Sequence, residues 1–283
     1  MAFSPEIQQQ IIKVRRDNQK LTVNMTDEDI VLLLQQADQV LEYGQPMAFV
    51  VPRPKRTLAE ADKQHPDDLT AKERVMRGQR LKDIGRWPDA EQTLLRAIEQ
   101  AKQTNDLPCH AWALGVLGGL YRDRGDLSPA IVAYGRAKEL AEQIGSSDGQ
   151  HLIGVALDGI GTVYGRQGNY SLAIEHYQKS ISTCIRIGDV YQLAITSGNL
   201  GNAYLNQRDY EQAQNHFIQA LIIDERIGDE RGKAMDHFNL GMLCLRMEDD
   251  QQARPHLQRA RDLFELAGDK DKARITIQLL QGM

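Results

Sequence analysis

Aromatic residues are scarce in this chain, at 6% of 283 residues, so its core must be built mostly from aliphatic side chains. Cysteine is scarcer still. Cys109, Cys184 and Cys244 form an odd, scattered set without zinc or disulfide spacing, which excludes a disulfide framework and points to reduced thiols and a cytoplasmic location. Positive charge is not in excess: the formal net charge is −5, which argues against a generic binder of nucleic acid or of anionic membranes. Long apolar runs are lacking too. IVLLL, residues 30–34, is far too short to span a bilayer. The opening MAFSPEIQQQ has no basic segment followed by an apolar stretch, so no secretory signal is expected. No nucleophile motif, phosphate loop or H-E-x-x-H pattern occurs, so neither an enzyme nor a cofactor is expected.

What is present is ordinary globular composition, 41% hydrophobic and 26% charged, over a length that can bury a sizeable core. The informative feature is self-similarity. GRWPDAEQTLLRA, GDLSPAIVAYGRA, GNYSLAIEHYQKS, RDYEQAQNHFIQA and DDQQARPHLQRA align on Ala90, Ala130, Ala173, Ala213 and Ala253, at intervals of 40, 43, 40 and 40 residues. The three additional residues fall in the polar stretch GSSDGQ, where a loop tolerates insertion. Each unit reads as two helices joined by a turn such as RQGNY or QRDY. The second helix ends at a motif such as RIGD, with Gly188 or Gly228 in the C-terminal position.

These units resemble tetratricopeptide repeats, in the longer-period variety of kinesin light chains and spindle-orientation adaptors. The fourth unit carries the pattern as Leu200-Gly201, Tyr204, Ala213, Phe217 and Ala220, and the second as Leu117-Gly118, Tyr121, Ala130, Tyr134 and Ala137. The third has Ile160-Gly161, Tyr164, Ala173, Tyr177 and Ser180; the fifth has Leu240-Gly241, Cys244, Ala253, Leu257 and Ala260. The first diverges most, with Arg77-Gly78, Leu81, Ala90, Leu94 and Ala97. The resemblance implies an all-α, right-handed superhelical solenoid of antiparallel helix pairs. Five units would span residues 66–272, with a capping helix at 273–283. The recurrent glycine would let paired helices approach closely, with Tyr204 and Phe217 filling the space between neighbouring hairpins.

The resemblance also implies a concave surface lined by the first helices. Its groove positions here are Gln79, Lys82, Arg122, Thr162, Arg166, Asn202, Asn206, Phe238, Met242 and Arg246. An Asn amide offers donors and an acceptor suited to the backbone of an extended peptide. Guanidinium groups favour carboxylates. The expected function is therefore that of an adaptor binding a protein or peptide segment, with acidic side chains a preferred complement and neither nucleic acid nor membrane as partner. A ligand- or peptide-responsive sensory regulator and a self-assembling structural protein stand as alternatives. A further alternative makes the polar residues a solvated inner surface, with Asn199 and Asn239 bridging helices. His176, His216 and His256 recur every 40 residues. That spacing places them in successive repeats, too far apart for one metal ion.

Residues 1–65 do not repeat. Pro5 opens one helix with a stripe of Ile7, Ile11 and Val14. Thr26 and Asp29 cap a second one, with a stripe through Ile30, Leu33, Leu34, Ala37 and Leu41 before Gly44, so the two read as a helical hairpin through which copies could self-associate. MAFVVPRP, Met47 to Pro54, is extended by its prolines and reads as a linker. Its alternative role is to dock on the repeat surface and compete with a partner.

Overall fold

A computed structural model describes residues 5–17, 26–32, 34–35 and 69–283, and every regular element among them is helical. The helices are α1 (Pro5–Asp17), α2 (Ala71–Asp83), α3 (Trp87–Gln103), α4 (Leu107–Arg124), α5 (Leu127–Ile144) and α6 (Ser147–Arg166). They continue as α7 (Tyr170–Ile187), α8 (Val190–Gln207), α9 (Tyr210–Ile227), α10 (Glu230–Arg246), α11 (Asp250–Leu266) and α12 (Lys270–Gln281). Residues 27–32 and 34–35 are helical as well. The Met47–Pro54 strip lies outside the described residues, as does the end of the N-terminal segment near residue 65.

Local sequence sets the helix ends. Thr70 and Glu73 form a reciprocal capping box at the start of α2, and Thr26 and Asp29 do the same ahead of residue 27. Asp106, Asp209, Asp229, Asp249 and Asp269 each accept a backbone N–H from the first turn of the helix that follows. Gly125, Gly145, Gly188 and Gly228 end their helices with φ between 68° and 91°, a region where a side chain is strained. At three equivalent turns the chain uses another residue: Asn105, Arg208 and Glu248 have φ of 54°, 64° and 58°.

Within each hairpin the recurrent glycine meets the residue sixteen positions later. A Cβ built on Gly78 would lie 2.6 Å from Leu94, on Gly118 2.9 Å from Tyr134, on Gly161 2.8 Å from Tyr177, on Gly201 2.6 Å from Phe217 and on Gly241 2.7 Å from Leu257. No side chain fits there, so the second helix can seat a large residue directly on the backbone of the first. Tyr134 also meets the next hairpin, since a Cβ on Gly159 would lie 2.4 Å from its ring. That ring therefore fills the space between hairpins. Tyr204 instead stacks on His216 of its own hairpin, ring centroids 5.5 Å apart.

The chain divides into two compact units. One holds α2–α7, the first three hairpins, around Leu94, Ala113, Leu120 and Leu152, with a smaller cluster of Ala130, Tyr134, Ile160 and Val163. The other holds α8–α12 together with α1 and residues 27–35. Ala234, Ala260, Leu263, Phe264 and Ala273 bring α10, α11 and α12 together there, so α12 covers the end of the last hairpin.

In this second unit the N-terminal helices lie on the outer face of α9. Lys13 pairs with Glu225 at 2.7 Å, and Arg226 donates to the carbonyl of Leu34 at 3.4 Å. Ile11, Val14, Ile30, Val31 and Leu34 are buried. So are Ile218, Leu221 and Ile222 of α9, whereas Gln178 and Ser182, at the registers of Ile218 and Ile222 in α7, are exposed. Lys13 and the Leu34 carbonyl thus place the described N-terminal residues beside one particular repeat; Leu33, Ala37 and Leu41 of the predicted stripe lie outside the described side chains.

Candidate functional site

In the α2–α7 unit three successive first helices direct charge at one carboxylate. Lys82 of α2 donates to Asp123 of α4 at 3.2 Å. Arg122, next to Asp123, pairs with it through Nε at 2.9 Å and Nη2 at 2.8 Å. Arg166 of α6 donates from Nη1 to the Arg122 carbonyl at 2.7 Å and brings Nη2 to 3.8 Å from Asp123. Gln79 joins through Asp83, to which it donates at 2.7 Å and which lies 3.3 Å from Lys82. Partial burial pushes the Asp123 carboxyl up, but the adjacent Arg122 and Lys82 outweigh this and hold it below the usual carboxylate range. Lys82 is almost enclosed, whereas the Arg166 side chain keeps 47% of its exposure. Thr162 stands apart, donating to the Asp158 carbonyl at 3.0 Å and accepting from Tyr177 at 3.2 Å.

The residues named in the other unit have separate surroundings. Asn206 donates its amide to the Asn202 carbonyl at 2.7 Å, which ties that side chain back to its own helix. Phe238 packs edge-on against Phe264, centroids 6.3 Å apart, and belongs partly to the core under α12. Met242 is half-buried and Arg246 exposed. Among the described residues no hub comparable to Asp123 joins them.

A second polar feature of this unit was not singled out in the sequence. Asp236 of α10 is enclosed beside Asp224 of α9. Burial first, then the Asp224 carboxyl, push Asp236 well above the ordinary carboxylate range, so one proton is held between the pair. A Cβ on Gly232 would fall 1.8 Å from Asp224 Oδ2, so only glycine admits that carboxyl at the start of α10. In the repeat register Asp224 takes the place of Cys184 and Ala141, and Asp236 that of Thr196 and Ala156. Two carboxyl groups at positions otherwise filled by small or apolar side chains are the signal that would have found them.

The recurrent histidines are packing groups. His176 stacks on Tyr164 and His216 on Tyr204, at 5.4 and 5.5 Å. His256 meets His237 instead, ring nitrogens 3.1 Å apart, because Cys244 stands where the tyrosine would be. Burial pushes His256 down to about 4 and lowers His176 and His216 as well. Cys109 is buried, which pushes its thiol up to about 11 and makes it a poor nucleophile. Among the described residues no group of three His, Cys, Asp or Glu could hold a metal ion. No described helix is long and apolar enough to cross a membrane.

Comparison with known proteins agrees with the repeat fold. The tetratricopeptide repeat family model matches residues 78–143 and 191–266, half of the chain, and a second tetratricopeptide repeat model matches residues 156–184. No curated protein matches the sequence. Among solved structures the chain is similar to aspartyl phosphate phosphatase F from Bacillus subtilis, at a TM-score of 0.61 and 16% identity over 100% of this chain and 85% of that one. It is similar to the nearly identical TPR-like repeats of a putative kinesin light chain from Podosopora anserina, at 0.53 and 14% over 73% and 99%. A Rap protein complexed with competence and sporulation factor matches at 0.56 and 13% over 96% and 78%.

Proposed function

The chain belongs to the tetratricopeptide repeat family, and on that premise we propose that it is a cytoplasmic adaptor that binds an extended protein segment along the first-helix faces of its repeats. The repeat fold is in general a non-catalytic scaffold for protein–protein interaction or regulation. The observation that carries the finer reading is the Asp123 hub. Guanidinium groups held in place before a ligand arrives lose little freedom on binding. Arg166 is anchored on the Arg122 carbonyl yet half open, so it can offer its free edge to a carboxylate of the partner. Lys82 and Arg122 are already paired, which makes Arg166 the main source of any preference for acidic partners. Asn202, Met242, Arg246 and the part of the Asn206 amide not bonded to the Asn202 carbonyl belong to first helices of the other unit and would meet backbone and apolar groups there.

A second reading, a peptide-responsive regulator, draws on the Asp224–Asp236 pair. A contact between hairpins made of carboxyl groups is less favourable than an apolar one, and such a contact could be shifted by a ligand. The solved Rap complex with a competence and sporulation factor shows this fold holding a factor in that protein.

The test is retention of a stoichiometric partner by the parent protein in an affinity pull-down, followed by binding isotherms. Arg166→Glu should weaken binding at least tenfold, with strong salt dependence in the parent. The pair Asn202→Ala and Asn206→Ala should weaken it further without lowering the melting temperature. Unchanged affinity in both variants would move the partner off these faces.

A further inference from the structure

The Tyr134 hydroxyl makes no hydrogen bond among the described residues. The repeat register shows what it lacks. In the third hairpin the equivalent Tyr177 donates to Thr162 at 3.2 Å. In the fourth hairpin Phe217 takes the tyrosine position, with no hydroxyl to satisfy, and Asn202 takes that of Thr162. The second hairpin keeps the tyrosine but has Gly119 at the Thr162 position. A Cβ built on Gly119 would lie 3.4 Å from the Tyr134 oxygen. The hydroxyl therefore arrives from the second helix at a groove position where the first helix supplies no side chain.

Tyr134 as a whole is only 3% exposed, yet its oxygen is not among the sealed polar atoms. A hydroxyl this enclosed and without a partner costs free energy that phenylalanine would avoid. Phe217 shows that the position accepts phenylalanine. A hydroxyl kept at that cost points to a partner from outside the chain. Gly119 lies one turn before Arg122 and Asp123 on α4, so the oxygen opens beside the Asp123 hub. The charges that reach it are those of Arg122, Asp158, Asp123 and Arg166. Burial pushes the hydroxyl up to about 12, so at neutral pH it keeps its proton and can donate. Building on the adaptor reading, we propose that Tyr134 is a binding residue whose hydroxyl donates to the same partner carboxylate that Arg166 engages. A carboxylate has two oxygens, enough to accept from the hydroxyl and from the free edge of Arg166 together. Asp123 is already engaged by Lys82 and Arg122, and Gly119 leaves the approach to the hydroxyl open.

The experiment uses the full chain and two end-capped, alanine-flanked peptides, one with a central Glu and one with Gln. Isothermal titration reads affinity, and the Cζ resonance of carbon-13-labelled tyrosine reads the hydroxyl directly. The Glu peptide should bind saturably and more tightly than the Gln peptide, and should move the Tyr134 resonance. Tyr134→Phe should weaken the Glu peptide about tenfold, the weight of one hydrogen bond to a charged group. Its melting temperature should not fall. Gly119→Thr, which rebuilds the Thr162–Tyr177 arrangement and gives the hydroxyl an internal acceptor, should weaken the Glu peptide similarly. Full Glu-peptide affinity in Tyr134→Phe, equal binding of the two peptides, or no saturable binding would overturn the proposal. Loss of affinity in Arg166→Glu with none in Tyr134→Phe would overturn this inference and leave the adaptor reading standing. The adaptor reading itself stands or falls on the partner retained in the pull-down, so the two failures are distinguishable.

Discussion

Replacing Asp236 by Asn should make the protein more stable at neutral pH, against the usual trend for changes in a core. The two side chains have the same shape, and the Asn amide can donate to Asp224 where the protonated carboxyl donates now. The difference is that Asn needs no proton. Asp236 is raised by burial and by Asp224, whereas its unfolded-state value is near 3.8. Below that pH both states hold the proton, and the group leaves stability untouched. As pH rises above it, the unfolded chain releases the proton while the folded chain keeps it. The parent then loses stability at up to about 1.4 kcal/mol per pH unit per proton. The loss continues until pH passes the folded-state value, and there it levels off. The gap between Asp236→Asn and the parent should therefore be smallest near pH 4 and widen with that slope as pH rises, flattening only once pH passes the folded-state value. The variant should be the more stable throughout the plateau. Urea unfolding followed by circular dichroism at closely spaced pH values measures this. Tryptophan fluorescence does not, because Trp87 and Trp112 both lie in the α2–α7 unit. A gap that does not change with pH, or a variant less stable at pH 7, would refute the shared proton.

Gly201→Leu should lose about 1–3 kcal/mol by overpacking against Phe217. Gly115→Ala, in a helix with nothing within 4 Å of the new Cβ, should gain up to about 1 kcal/mol; urea melts of the two variants check both. Arg208→Gly and Glu248→Gly relieve φ values of 64° and 58°, so each should raise the melting temperature, for a gain of about 1 kcal/mol. His256 is held neutral, down to about 4 against an ordinary 6.5. Its contribution is complete above pH 6.5 and is lost as pH falls toward 4, worth about 3 kcal/mol over that span. His256→Gln should remove that part of the acid sensitivity, read as a flatter melting temperature between pH 6.5 and 4.5.

The repeat phase was legible because it is written twice, in a glycine and in a large residue sixteen positions later, and both come back every 40 residues or so. Helix ends were legible for a similar reason: a glycine and an aspartate recur between helices, as in RIGD, and each does a local job. Lys82, Arg122 and Arg166 could each be placed on a first helix from the pattern. That they share Asp123 could not, since it depends on how three helices align side by side. Nor could the bond from Asn206 back to the Asn202 carbonyl, where the choice of rotamer decides whether an amide faces a ligand or its own helix. The N-terminal helices announced their own apolar stripes. The complementary clue, Ile218 and Ile222 where α7 has Gln178 and Ser182, becomes visible only when repeats are compared on their outer faces.

In a pure repeat stack every contact is with a neighbour in sequence, and folding can follow synthesis from one end. The Lys13–Glu225 pair joins residues 212 positions apart. At roughly 5–20 residues per second, α1 leaves the ribosome some tens of seconds before α9 exists to pair with its Lys13. During that interval Ile11, Val14, Ile30, Val31 and Leu34, all buried in the folded protein, stay uncovered, the period when a chaperone or a neighbouring nascent chain has its best access. Closing so long a loop is also slow relative to hairpin formation. The last step of folding should therefore be the arrival of α1 on α9, and a pulse-labelling experiment should find amides of α4 and α5 protected before those of α1.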